Sequence, residues 1–150
     1  MKFTEIEQIK NFEYSVACTD MTLSESKKIL VSIGTYRPAV KTHDLINLTQ
    51  KTERHVEVEP LRVECLDREG EKLCILREDS VLEFHAKYGL HEKVKLPRKS
   101  YDLKFNKFNS ETLSGGSKNI YRFNLEHGKF MKPYLTTILP SSISLNTVHG

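Results

Sequence analysis

The chain has 150 residues, 38% apolar and 29% charged, with a formal net charge of +3; this is the composition of one ordinary folded domain and argues against disorder. No apolar run reaches the roughly 18 residues a membrane-spanning helix needs, and Glu5 and Glu7 sit where a secretory signal would carry its apolar stretch. A soluble, intracellular protein with no membrane partner is expected.

In chain order, residues 1–13 read as a lead-in arm, with Phe3, Ile6, Ile9 and Phe12 at a spacing that suits helix or strand. A first group of four strands is expected near 14–22, 28–34, 39–45 and 48–54, reversing at Ser24-Glu25-Ser26. A second is expected near 60–66, 72–77, 80–85 and 91–96, turning at Arg68-Glu69-Gly70 and ending at Pro97, which cannot donate to a ladder. A third is expected near 101–106, 111–115, 119–125 and 129–134, with Asn109-Ser110 and Gly115-Gly116 at its turns. Alternation such as Val81, Glu83, His85 against Leu82, Phe84 favours half-buried strands over helices.

One segment recurs three times, at residues 39–45, 80–86 and 119–125, with offsets of 41 and 39 residues. Each copy follows a turn-forming cluster: Gly34-Thr35-Tyr36-Arg37-Pro38, Arg77-Glu78-Asp79 and Ser114-Gly115-Gly116-Ser117-Lys118. Several strands per unit at a period near 40 mark β-propeller blades. In the common tryptophan-aspartate version the third strand ends in an aromatic and an aspartate; here those slots read His43-Asp44, Phe84-His85 and Phe123-Asn124, in a chain without tryptophan.

The expected fold is all-β: a WD40-like β-propeller of about three blades, near 14–55, 58–97 and 99–135, plus the first strand of a fourth in 140–150. Propellers close with about four to eight blades, so the ring is expected to be incomplete and the chain to be part of a longer propeller. An unpaired last edge invites pairing with another chain.

Charge is unevenly spread. Residues 1–86 hold 12 Lys and Arg against 16 Asp and Glu, and residues 87–150 hold 11 against 4. Within the basic half, Lys93, Lys95, Arg98, Lys99, Lys104 and Lys107 are the candidate contacts for RNA or an acidic partner, and an ordinary charged surface is the competing reading. Tyr88, Tyr101, Phe105 and Phe108 interleave with these cations and suit either base stacking or blade packing.

Catalytic signatures are missing from the sequence. The six histidines form no His-x-x-x-His pair, and there is no Gly-x-Ser-x-Gly elbow. Ser114-Gly115-Gly116-Ser117-Lys118 lacks the ending of a phosphate loop and reads as a hairpin turn. Cys18, Cys65 and Cys74 have no Cys-x-x-Cys spacing and read as buried thiols. No catalytic residue, metal, cofactor or small-molecule substrate is expected.

Gly34-Thr35-Tyr36-Arg37-Pro38 resembles a Gly-Thr-Tyr-Lys-Pro segment of the nucleolar protein ten family. The likeness continues through Arg54-His55, Gly89-Leu90 and Leu96-Pro97 to the run from Tyr121 to Phe130, which is similar to the family's Tyr-Arg-Leu-Asn-Leu-Glu-x-Gly-Arg, and to Asn146-Thr147-Val148-His149-Gly150. The lead-in from Ile6 to Glu13 is also family-like. After Leu96-Pro97 the chain departs, with Arg98-Lys99-Ser100-Tyr101-Asp102 in place of Lys-Phe-Gly-Arg-Asp. The resemblance implies the N-terminal part of a propeller scaffold in ribosome biogenesis. It implies a non-enzymatic, nucleolar component of the small-subunit processome that supports small-subunit rRNA maturation. Other processome proteins would be its partners, and pre-rRNA a further candidate contact. The competing expectation is a general propeller adaptor for protein–protein interactions outside ribosome assembly.

Overall fold

Short β-branched and aromatic runs separated by polar turns build the twelve strands of the computed structural model, which describes residues 17–35, 37–115, 119–135 and 143. The strands are β1 (Ala17–Leu23), β2 (Ile29–Thr35), β3 (Ala39–Asp44), β4 (Thr49–His55), β5 (Pro60–Cys65), β6 (Leu73–Arg77), β7 (Val81–Ala86), β8 (Gly89–Lys95), β9 (Asp102–Asn106), β10 (Glu111–Gly115), β11 (Asn119–Asn124) and β12 (Lys129–Leu135). They pair into three four-stranded antiparallel sheets, β1–β4, β5–β8 and β9–β12, each in chain order. These are three propeller blades, and the ring is not closed. The lead-in arm lies outside the described residues, as does the expected fourth-blade strand apart from Ile143.

The reversals share one backbone device. Lys27, Arg37, Leu48, Ser80 and Ser110, together with Gly70, Gly89 and Gly128, have positive φ, and one of them sits in each of the eight described hairpins. At Gly70 a side chain would also be crowded: a Cβ there would lie 3.2 Å from the Ser24 Cβ and 3.3 Å from Ile29 of the neighbouring blade, which would have to shift by a few tenths of an ångström. The adjacent contact, Ser26 N–H to the Arg68 carbonyl at 3.0 Å, holds these two turns together.

Each blade interface has its own apolar core. Ile29, Val31, Ile33 and Val40 of the first blade pack with Val63, Leu73 and Ile75 of the second. The opposite face of the second blade, Cys74, Leu76, Leu82 and Phe84, packs with Leu103, Tyr121 and Phe123 of the third. The Phe84 and Phe123 rings stack at 5.4 Å.

Because side chains alternate across a strand, these faces fix which positions correspond. Val40 and Leu82 both face the next blade, as do Thr42 and Phe84; His43 and His85 both lie on the opposite face of their sheets, which in the second blade packs on the first. The sequence repeat is therefore displaced by one residue in its second copy. The matching slots are His43-Asp44, His85-Ala86 and Phe123-Asn124, and not Phe84-His85. The cause is turn length. β2 and β3 pair through Gly34 and Ala39, whereas β6 and β7 are joined around Glu78, Asp79 and Ser80, with the Ser80 N–H bonded to the Arg77 carbonyl.

The inner strands β1, β5 and β9 lie side by side, and Arg62 on β5 is 3.6 Å from Asp102 on β9. Asp20 accepts a hydrogen bond from the Val63 N–H at 3.2 Å, and Asp102 accepts one from the Ile143 N–H at 2.6 Å. The third blade thus holds Ile143, itself buried, as the first blade holds the second.

Leu48 is exposed, and its left-handed backbone is strained for a side chain with a Cβ. Leu48→Gly is expected to raise stability by roughly 0.5 to 1 kcal/mol after allowance for the greater unfolded-state freedom of glycine. A chemical denaturation midpoint below that of the parent would contradict this.

Candidate interaction surface

The six basic residues singled out in the sequence do not converge. Lys93 is on the outer strand β8, 2.9 Å from Glu57. Lys95, at the end of that strand, donates to the Asp79 main-chain carbonyl. Arg98 and Lys99 are exposed on the connection to β9, with the Lys99 ammonium 5.7 Å from the Tyr101 ring centroid. Lys104 lies on inner strand β9, 3.8 Å from Glu64 on β5. Lys107 occupies the β9–β10 turn at the opposite end of the blades, 3.4 Å from Glu25. Of the six, Arg98 and Lys99 form one exposed pair with no carboxylate partner among the described residues; the others are spread over the inner strand, the outer strand and both ends.

The strongest ionic constellation is one the sequence reading missed. Arg77 is 5% exposed and bonds the Asp79 carboxylate through two nitrogens, at 2.9 and 2.5 Å. It also reaches Glu83 at 2.9 Å. The other oxygen of Glu83 is 3.0 Å from His85 Nε2. Burial opposes ionisation of Glu83, but the hydrogen bonds from His85 and Arg77 outweigh it and hold the carboxyl below its ordinary value. The available signal was Arg77-x-Asp79 followed by Glu83-x-His85 on one strand face. The turn reading of Arg77-Glu78-Asp79 concealed it.

Glu64 behaves oppositely. Burial pushes its pKa up from 4.5 to about 7, despite the nearby Lys104. The ion pair at 3.8 Å is thus too loose to offset the loss of water.

Two clefts open between blades. The first, about 210 Å³, is lined by Thr42, Thr52, Lys51 and Arg54 of the first blade and by Glu71 and Lys87 of the second. The second, about 380 Å³, is lined by Leu66, Phe84, Tyr88, His91, Phe123 and Leu125, among others. Both follow from the same irregularity. In the pairing of β3 with β4, Thr42 faces Thr52 while His43 faces Gln50, so Lys51 is an extra, bulged residue. In the pairing of β7 with β8, Phe84 faces Glu92 while His85 faces Leu90, so His91 is extra. A bulge re-aims a side chain, and here it turns two successive residues of each outer strand into the cleft. Tyr88, at the lip of the second cleft, is 80% exposed. Among the described residues no group of His, Cys, Asp and Glu converges in a way that could hold a metal ion.

Three stacked four-stranded antiparallel sheets, latched through their inner strands, define a β-propeller domain. The family model described as Nucleolar protein 10-like, N-terminal domain, matches residues 2–150. The chain is 31% identical over 147 residues to Nucleolar protein 10 of Rattus norvegicus and to that of Homo sapiens. It is 33% identical over 147 residues to the Ribosome biogenesis protein ENP2 of Saccharomyces cerevisiae. Each alignment covers 97% of this chain and 21% of the relative, so the chain spans about a fifth of these proteins' length. The chain belongs to the Nucleolar protein 10-like family.

For Glu64 the folded-state pKa lies above the unfolded value, so its ionisation opposes folding, and its contribution declines as pH rises from 4.5 to about 7. Glu83, with a lowered folded pKa, contributes stability at neutral pH that is lost on acidification through that lowered value. Glu64→Gln is expected to raise the melting temperature at pH 8 and leave it nearly unchanged at pH 4, whereas Glu83→Gln lowers it at pH 8. Thermal melts across this range check both signs; a Glu64→Gln protein that melts lower at pH 8 would contradict the assignment.

Proposed function

We propose that this chain is the propeller part of a non-catalytic scaffold in ribosome biogenesis, acting in the nucleolus within the small-subunit processome and supporting maturation of small-subunit rRNA. The observation that carries the reading is the family match over residues 2–150, in a family with a yeast member named for ribosome biogenesis. Partner proteins are the primary ligands in this reading, and pre-rRNA is a further one.

The surface supports a binding role. Ile46, Leu48, Tyr88 and Phe108 on turns, and Leu90 at the start of β8, are all exposed at the same end of the blades, where they offer apolar contact to other proteins. Two of the carboxylates with displaced pKa values, Glu83 and Glu64, are engaged with Arg77 and His85 and with Lys104 respectively.

The test is a gradient sedimentation of the tagged full-length gene product, combined with its depletion. Cosedimentation with pre-ribosomal particles, and accumulation of unprocessed small-subunit rRNA precursors on depletion, are expected. Sedimentation only with free proteins, together with normal rRNA processing, would overturn the reading in favour of an adaptor outside ribosome assembly.

A further inference from the structure

The cleft between the first and second blades has the chemistry of an anion site. Three cations, Lys51, Arg54 and Lys87, line it against the single carboxylate of Glu71. The Arg54 guanidinium is fixed by two main-chain carbonyls, Ala86 at 3.1 Å and Lys87 at 2.6 Å. It has no carboxylate partner among the described residues, so its charge is positioned but not neutralised. The Thr42 and Thr52 hydroxyls bond each other at 2.5 Å; one proton is used in that bond, which leaves the other hydroxyl a donor for a ligand. Lys51 enters the cleft because of the bulge in β4. Glu71 lies 3.8 Å from Lys87 in a largely solvated pair, which an incoming anion can displace at little cost.

The residue after Lys87 points to the kind of anion. Lys87 and Tyr88 together form the β7–β8 turn; Lys87 lines the first cleft and Tyr88 the second. A cation in one cleft is therefore followed directly by an almost fully exposed aromatic ring at the mouth of the next. Alternating phosphate and base chemistry is what a single nucleic-acid strand presents.

We propose that a single strand of RNA crosses this turn, with one phosphodiester seated among Lys51, Arg54 and Lys87 and a base stacked on Tyr88. The cleft of about 210 Å³ admits a phosphate group and excludes a duplex. The choice of RNA rests on the ribosome-biogenesis reading, whereas the anion chemistry does not. The site lies apart from Lys93, Lys95, Arg98 and Lys99.

The test is fluorescence anisotropy of the full chain with a labelled single-stranded RNA of mixed sequence over about 50 to 200 mM salt. The salt slope changes by about 0.7 for each phosphate no longer neutralised, so with one phosphodiester in the cleft Lys51→Gln with Lys87→Gln is expected to flatten the slope by up to about 0.7 and weaken binding. Tyr88→Ala is expected to weaken binding about tenfold, through lost stacking, with the slope unchanged. Lys93→Gln with Lys95→Gln should leave both unaltered. All the substituted residues are exposed, and matching thermal melts exclude misfolding as the cause. Unchanged affinity in the Lys51 and Lys87 variant, an equal loss in the Lys93 and Lys95 variant, or binding of a phosphoserine peptide in preference to RNA would overturn the proposal. Absence of RNA binding by the unsubstituted chain, with normal cosedimentation, removes the cleft alone; the expected binding and variant effects without cosedimentation remove the ribosome-assembly reading and leave the cleft.

Discussion

Face-to-face packing of neighbouring blades is the constraint on which this structure depends. A four-stranded sheet with apolar residues on both faces is stable only when each face is covered. The second blade meets that condition with Leu73 and Ile75 against the first blade, and with Cys74, Leu76, Leu82 and Phe84 against the third. Both faces of β6 are therefore apolar, and all five of its residues are buried. Ionic and backbone contacts then set the angle and height of each blade. Arg54 grips the Ala86 and Lys87 carbonyls, and Asp20 grips the Val63 N–H. The clefts are a by-product: where the outer strands splay and bulge, the cores end and space opens between sheets.

Strand positions were legible in the sequence because turn chemistry and alternation are local properties. All twelve strands begin and end within three residues of expectation. The register of the second repeat was not legible. Phe84 looks like the aromatic of the tryptophan-aspartate slot, and His85 like the polar residue after it. Only the stacking of Phe84 on Phe123 and the turn around Asp79 reveal that His85 is the true counterpart of His43. Asp44 and Asn124 do occupy corresponding slots, and each caps its turn by accepting backbone N–H bonds: Ile46 and Asn47 to Asp44, His127 to Asn124. Ala86 cannot do so, and the second blade closes instead through the short Lys87-Tyr88 turn with Gly89 at positive φ.

The candidate surface was harder to read. A run of cations in sequence suggested one patch, but consecutive strands of neighbouring blades carry those residues to different places, and carboxylates remote in sequence, Glu25, Glu57 and Glu64, pair with three of them. Conversely, Lys51, Arg54 and Lys87 gather from two blades, and no local pattern announces them. Arg77 was hidden for the same reason. Its partners on the strand, Glu83 and His85, were read as ordinary solvent-side alternation, when that face in fact packs toward the first blade.

The direct test of blade stacking is a double-mutant cycle on the isolated chain's unfolding free energy, with Phe84→Leu and Phe123→Leu singly and together. Rings stacked at 5.4 Å should show a coupling of about 0.5 to 1.5 kcal/mol. Strict additivity, within about 0.3 kcal/mol, would mean that the second and third blades do not meet through this face.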